Sequence, residues 1–210
     1  MIEKYGTAQA VRRKEDVRFL TGHGHYVEDI TLDNMVHGFV LRSPHAHARI
    51  VRIDTSAAAS APGVLAVYTG VDWRAAGVGD LPTRTRAKHS DGSAVTAPPR
   101  PALVSDRARF VGDAVAFIVA ETLEAAKDAA ELVEIDYEPL PVVTDMKAAL
   151  AADAPLIWEH VGSNLCVEFE AGDKAAVDAA FARADRVVSA GLVNNCVIAA
   201  AIEPRGAIGE

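Results

Sequence analysis

The chain has 210 residues, half of them apolar and 24% charged, which is typical of a soluble globular protein with one large or two small domains. With 21 Lys plus Arg against 29 Asp plus Glu, its net charge of −8 argues against binding to nucleic acid or to an anionic membrane. No apolar run approaches the roughly 20 residues of a membrane span, and charged residues follow Arg12-Arg13-Lys14 where an export signal would be apolar, so we expect a cytoplasmic protein.

The first segment, residues 1–18, is predicted to be an arm without a core of its own. It leads into Gly22-His23-Gly24, where two closely spaced glycines raise the alternative of a dinucleotide-binding turn. No apolar strand precedes them, and Val27 occupies the position of the third glycine in G-x-G-x-x-G. The pattern therefore favours an ordinary turn with a glycine at positive φ.

Three strands are predicted next, at His37–Arg42, Arg49–Ile53 and Val64–Thr69. A short alanine helix at 57–61 separates the second strand from the third, and Asp72-Trp73 opens another helical turn. The order from 49 to 69 is thus strand, helix, strand.

Four histidines near these strands, His23, His25, His45 and His47, raise the alternative of a zinc site. The His-x-His spacing on a strand would point both rings to one side. No acidic or cysteine ligand stands nearby in a usual motif, so a turn stabilised by imidazole hydrogen bonds is favoured. No metal-binding residue is assigned.

Between residues 76 and 106 the periodicity disappears, over a stretch longer than the roughly 12–15 residues of an ordinary loop. Residues 74–109 carry seven basic and three acidic groups, a net charge of +4 inside an acidic chain. A solvated excursion and a contact surface for an acidic neighbouring chain both remain open.

The clearest unit of the chain spans 109–143. Ala114–Ala120 is an uninterrupted apolar run, typical of a strand buried on both faces, and Phe117 and Ile118 are predicted core residues. Thr122 is the predicted N-cap of a helix, and residues 133–138 alternate as a half-buried strand does. The connection is long enough for a parallel crossover.

After residue 143 the pattern changes. A helical stretch is predicted at 145–152 and strands at 164–171 and 185–193. Asp173 is the predicted N-cap of a helix with an apolar stripe that includes Val177 and Phe181. Cys166 and Cys196, the two cysteines, form no C-x-x-C motif and are interpreted as inert.

Several dispersed segments resemble the molybdenum-carrying large subunit of the xanthine oxidase and aldehyde oxidase family, with bacterial carbon monoxide dehydrogenase large chains as the nearest likeness. The segments are Arg-Phe-Val-Gly-Asp-Ala-Val-Ala at 109–116, Ala-Ala-Lys-Asp-Ala-Ala-Glu-Leu-Val at 125–133, Asp-Tyr-Glu-Pro-Leu-Pro at 136–141, Leu-Arg-Ser-Pro-His-Ala-His-Ala-Arg-Ile at 41–50 and Ile-Glu-Pro-Arg-Gly at 202–206. The resemblance implies an α+β fold. Its parts would be the arm (1–18), an α/β hammerhead domain with strand–helix–strand units (19–143) and a truncated molybdopterin-binding domain (144–210).

The same resemblance implies the N-terminal part of a molybdenum-dependent oxidoreductase, in which this portion has a structural and assembly role. The complete protein would be the enzyme and would bind molybdopterin; we expect the 210 residues alone to bind no cofactor and to be inactive. No catalytic or cofactor-binding residue is assigned, although Glu203 is the residue expected near the cofactor or, alternatively, a buried carboxylate bonded to backbone N–H groups. A stand-alone α+β scaffold or interaction protein derived from the family is the alternative function.

The resemblance also implies partners, namely the remainder of the large subunit and iron–sulfur and flavin subunits. An incomplete second domain would leave apolar side chains of 185–200 uncovered, and such surfaces associate. We therefore also expect self-association through this segment.

Overall fold

The computed structural model describes residues 12–83, 88–95, 97–194, 197–198, 201, 203 and 205–209. Contacts divide the chain into a larger unit, Val36–Val187, and a smaller unit that combines Met1–Met35 with Val188–Glu210. Within the described ranges, no helix has both the length and the apolarity needed to cross a membrane.

The larger unit contains two three-stranded sheets, and every strand pair in them is antiparallel. The strands are β1 (His37–Arg42), β2 (Ala48–Asp54), β3 (Val64–Thr69), β4 (Arg107–Ala108), β5 (Ala114–Ala120) and β6 (Glu134–Pro139). The first sheet has the order β1-β5-β3, and the second has the order β4-β2-β6. The sequence-based bounds of β1, β3 and β5 are confirmed residue for residue.

The predicted parallel crossover is wrong, because β5 and β6 lie in different sheets. Both edges of β5 are occupied by β1 and β3, so β6 pairs with β2 instead. The earlier unit behaves in the same way, since β2 lies in the second sheet and β3 in the first. Each strand–helix–strand unit therefore crosses from the centre of one sheet to the edge of the other.

Five α-helices are found in the described residues, and two of them cover the first sheet. Helix bounds are α1 (Asp16–Leu20), α2 (Ser56–Ala59), α3 (Gly70–Ala75), α4 (Leu123–Glu131) and α5 (Lys174–Ala182). Thr122 Oγ1 accepts a hydrogen bond from the N–H of Ala125 at 3.1 Å, which confirms the predicted N-cap of α4. Alanines of α2 and α4, including Ala58 and Ala126, pack against β5 as the main core cluster.

Strand β5 is buried on both faces, as predicted. Ala116, Ile118 and Ala120 face the helices, while Val115 packs with Ile50 and Val104 in a second cluster. Ile118 is fully buried. Phe117 was predicted to share the core equally, but its ring is only half-buried and lies over Gly38 of the neighbouring strand.

Downstream of β6 the sequence-based expectations hold only in part. Asp173 Oδ1 accepts from the N–H of Ala176 at 2.9 Å, so the N-cap of α5 is confirmed. The apolar stripe of α5 was expected to be buried, but Val177 and Phe181 are exposed. The predicted helical stretch at 145–152 is reduced to a 3₁₀ turn at Ala148–Leu150.

The two strands predicted after β6, at 164–171 and 185–193, are not formed. Both segments have β-forming residues, but a strand is stable only when a neighbouring strand bonds its N–H and C=O groups. Among the described residues no other strand pairs with either segment.

In the smaller unit, α1 was not predicted; it begins within the segment interpreted as an arm (1–18) and ends two residues beyond it. Residues 1–11 of that arm lie outside the described residues. Gly22 lies in the turn after α1 and has φ +75°. This agrees with the predicted ordinary turn with a glycine at positive φ, which the sequence favoured over a dinucleotide-binding turn. A 3₁₀ turn follows at Val27–Asp29.

Candidate functional site: a groove beside the 109–113 turn

An open groove with a cavity volume of about 690 Å³ lies in the larger unit. One wall is the end of β1, with Val40 and Arg42, and another is the proline-rich stretch 97–101. The 109–114 segment and residues 157–158 and 166–167 complete the lining. The groove is therefore bounded by segments that are distant in sequence.

The 109–113 turn is fixed to the end of β1 by reciprocal hydrogen bonds. Gly112 donates its N–H to the carbonyl of Ser43 at 2.8 Å, and Ser43 donates to the carbonyl of Asp113 at 2.8 Å. Arg42 Nη1 donates to the carbonyl of Gly112, also at 2.8 Å. Gly112 has φ +93°, a conformation that few other residues adopt, so the glycine in this motif is a backbone requirement.

Two charged side chains of this turn face the groove. The guanidinium carbon of Arg109 lies 3.8 Å from the ring centroid of Trp158, a cation–π contact, and its Nη2 is 3.7 Å from Asp106. Asp113 is only 7% exposed, and its Oδ2 accepts from the N–H of Arg109 at 3.0 Å. Burial raises the pKa of the Asp113 carboxyl, an effect opposed by the N–H and the guanidinium of Arg109.

A buried polar group supports the other side of the β1–β2 connection. His47 is 5% exposed, and its Nδ1 lies 2.9 Å from the carbonyl of Pro141. The carbonyl of His47 accepts from the N–H of Leu140 at 2.9 Å, and the ring of His45 packs at 4.6 Å on Tyr137. These contacts match the turn stabilised by imidazole hydrogen bonds that the sequence favoured. In the described ranges, no group of three or more His, Cys, Asp or Glu side chains has an arrangement suited to a metal ion.

The basic stretch 74–109 has several partners inside the chain. Arg74 contacts the hydroxyl of Ser105, and Arg107 Nη1 lies 3.1 Å from Glu159 Oε1. Arg84 and Arg86 lie outside the described residues. Part of the +4 charge is therefore used to hold the 105–109 segment and residues near 159 in place.

The remaining residues singled out from the sequence occupy separate places. Glu203 Oε1 accepts from the N–H of Val27 at 2.9 Å in the smaller unit, so the backbone hydrogen bond of the alternative is present, but the residue is exposed and not buried as that alternative has it. Cys166 is exposed and lines the groove, whereas Cys196 lies outside the described residues. Sequence reasoning treated Arg109, Asp113 and Trp158 only as parts of motifs or of extended chain, so the stacking of Arg109 on Trp158 was missed.

Comparisons with known proteins point to one family. The family model described as "Aldehyde oxidase and xanthine dehydrogenase, a/b hammerhead domain" matches residues 21–141. The carbon monoxide dehydrogenase large chain of Afipia carboxidovorans is 41% identical over 188 residues, covering 84% of this chain and 22% of the relative. The nicotine 6-hydroxylase large subunit of Paenarthrobacter nicotinovorans is 38% identical over 202 residues, covering 95% of this chain and 24% of the relative.

A solved structure of a Cu,Mo-CO dehydrogenase in its carbon monoxide reduced state superposes with a TM-score of 0.67 and 38% identity. The match covers 84% of this chain and 22% of that one. The chain thus spans between a fifth and a quarter of the length of these relatives.

Proposed function

Because this chain belongs to the aldehyde oxidase and xanthine dehydrogenase family, whose hammerhead-domain model matches more than half of it, we propose that it is the N-terminal part of the large subunit of a molybdenum-dependent oxidoreductase. The reaction of the complete protein is the oxidation or hydroxylation of a small substrate of the aldehyde, xanthine or carbon monoxide type. The observation that supports this most is the 41% identity, over 84% of the chain, to a carbon monoxide dehydrogenase large chain.

In this proposal the residues described here have a structural and assembly role and perform no catalysis. Molybdopterin is bound by the complete protein, and it supplies the redox chemistry there. No step of that chemistry is assigned to the side chains of this chain. The iron–sulfur and flavin subunits and the remainder of the large subunit are the proposed partners, in a complex of the cytoplasm.

The proposed domain boundaries follow from the family match at residues 21–141. Residues 19–143 are proposed to form the hammerhead domain, and 144–210 the beginning of the molybdopterin-binding domain. In the second part Leu192, Val193 and Ile198 are more than four-fifths exposed, and a segment of this composition normally has an apolar surface to pack against. We propose that in isolation it drives self-association.

A chimera tests the proposed role directly. The matched segment of the Afipia carboxidovorans large chain is replaced by this sequence and expressed with its partner subunits, and molybdenum content and activity are measured. Retention of both supports a structural part that the two proteins share. A folded, assembled chimera without molybdenum contradicts it, and a variant with Ile118→Asp in the core is the misfolding control.

Two further measurements separate this role from a stand-alone scaffold. Metal analysis of the purified 210-residue chain is expected to find no stoichiometric molybdenum. The gene beyond codon 210 is expected to encode glycine-rich pterin-binding segments, whereas a native stop codon would favour the scaffold.

Light scattering on the whole chain and on a shorter chain ending at Val143 tests the association. The whole chain is expected to form oligomers, and the shorter chain to remain a monomer. A monomeric whole chain at high concentration contradicts the exposed-surface argument.

A further inference from the structure

The groove beside the 109–113 turn has the dimensions of a small-molecule site. Its volume of about 690 Å³ lies within the range of about 300–1,000 Å³ that is usual for ligand pockets. Apolar side chains from distant segments form most of its walls, among them Val40, Leu81, Ile157 and Val167. Pockets of this kind enclose the apolar body of a ligand and orient it through a small number of charged groups.

The charged groups of the lining are unequal in sign. Arg42, Arg100 and Arg109 carry positive charge, and Asp113 is the carboxylate among the lining residues. Arg109 and Asp113 carry opposite charges that offset each other in the sum, and both are held within the 109–113 turn: Asp113 Oδ2 accepts the backbone N–H of Arg109, and the guanidinium of Arg109 lies 3.7 Å from Asp106. The groove therefore retains the charges of Arg42 and Arg100.

Both of these arginines are exposed residues. Among the ion pairs formed by the described residues, neither Arg42 nor Arg100 takes part. The five N–H groups of arginine form a planar fork that matches a carboxylate. Arg42 Nη1 already donates to the carbonyl of Gly112, which leaves its other N–H groups for a ligand, and neither arginine would lose an ion pair on binding an anion.

We propose that this groove binds a small amphipathic carboxylate, with its apolar body against Val40, Leu81 and Trp158 and its carboxylate on Arg42 or Arg100. A long acidic polypeptide would use the same contacts, but the walls on several sides and the two flat side chains, Trp158 and Phe110, favour a compact ligand. Neither the hammerhead match nor the proposed redox role assigns this site.

Ligand binding in the groove can be followed by the fluorescence of Trp158, which lines it. The chain has two tryptophans, Trp73 and Trp158, and the second lines the groove. Trp73→Phe, which keeps an aromatic ring at that position, leaves Trp158 as the only tryptophan and its fluorescence as a local signal. In this background, sodium decanoate is titrated below its micellar concentration, and decylammonium chloride provides the same tail with the opposite charge.

Decanoate is expected to bind with saturation and one-to-one stoichiometry. It should bind at least about ten-fold more tightly than decylammonium, because the positive charges of Arg42 and Arg100 attract the carboxylate and repel the ammonium group. Arg42→Gln or Arg100→Gln is expected to weaken decanoate binding about three-fold, as loss of an exposed ion pair does. Melting temperatures of the variants confirm that each is folded.

A matched pair of leucines locates the site. Leu81 lines the groove and is 51% exposed, and Leu132 lies outside it at the end of α4 and is 46% exposed. Leu81→Asp is expected to abolish decanoate binding, and Leu132→Asp to leave it unchanged. Absence of saturable binding, equal affinity for both head groups, insensitivity to both arginine changes, or equal effects of the two leucine changes would each overturn the proposal.

Discussion

The most direct test of the fold is the relative cost of truncating two neighbouring residues of β5. Ile118 is fully buried between the first sheet and the helices, whereas the adjacent Phe117 is half-buried over Gly38. Ile118→Ala removes three carbon atoms worth about 0.8 kcal/mol each, and the cavity left behind adds to this loss. We expect a total decrease in the free energy of unfolding of about 3–4 kcal/mol.

Phe117→Ala is expected to cost less, about 2 kcal/mol, because much of the ring is already in contact with water. From sequence alone the order is the reverse, since a phenylalanine in a central strand normally costs about 3–5 kcal/mol on truncation. Equilibrium denaturation in urea, followed by circular dichroism, measures both losses. In thermal denaturation Ile118→Ala should lower the melting temperature by about 6–16 °C. A larger loss for Phe117→Ala than for Ile118→Ala would refute the assignment of the buried face.

Three further outcomes are expected. Gly70→Ala should destabilise the protein by about 1–3 kcal/mol, because the Cβ of the new alanine would lie 2.6 Å from the backbone of Val104. The control Gly79→Ala places its Cβ in open space and should be near neutral, and equal melting temperatures of the two variants would exclude the close approach. Burial raises the pKa of Asp113 in the folded protein above the unfolded value of about 3.9, so ionisation of this carboxyl opposes folding as pH rises through the folded pKa. Relative to Asp113→Asn, the unaltered protein should therefore gain stability as pH falls from the folded pKa to the unfolded pKa. A stability difference between the two proteins that does not change with pH would contradict the shift. Arg109→Lys should cost about 1 kcal/mol and alter Trp158 emission through loss of the stacked guanidinium, while the exposed Arg49→Lys should do neither.

Between β1 and β6 local patterns predicted the elements well and their pairing poorly, whereas the two strands predicted after β6 are not formed. The bounds of β5 follow from an apolar run closed by Glu121, and the start of α4 follows from the hydroxyl of Thr122, so both are encoded within a few residues. The sheet that a strand joins depends on which edges are free once distant segments have met. That is why β6 was expected beside β5 and lies instead on β2.

At the candidate site, too, local sequence patterns did not predict contacts between distant segments. Gly112 and Asp113 belong to a motif that is visible in the sequence, but the motif gives no partner for Arg109. Trp158, which stacks on that arginine, belongs to a segment that sequence patterns described only as extended. Side-chain contacts between remote segments have no local signal, whereas the positive φ of Gly112 does.

In the long irregular stretch from 76 to 106, the described residues form one wall of the groove. Its two arms meet where Leu81 donates its N–H to the carbonyl of Arg100 at 2.7 Å. Its end is tied to both sheets, since Val104 donates to Ala114 of β5 at 2.8 Å and Ile50 of β2 donates to Asp106 at 2.9 Å. Loops of this length in compact domains usually have a function, and the anchored arms place proline-rich and basic residues around one groove. Backbone groups of the described part of this stretch are therefore bonded to each other and to strands of both sheets, so its hydrogen bonds do not depend on a helix or strand of its own.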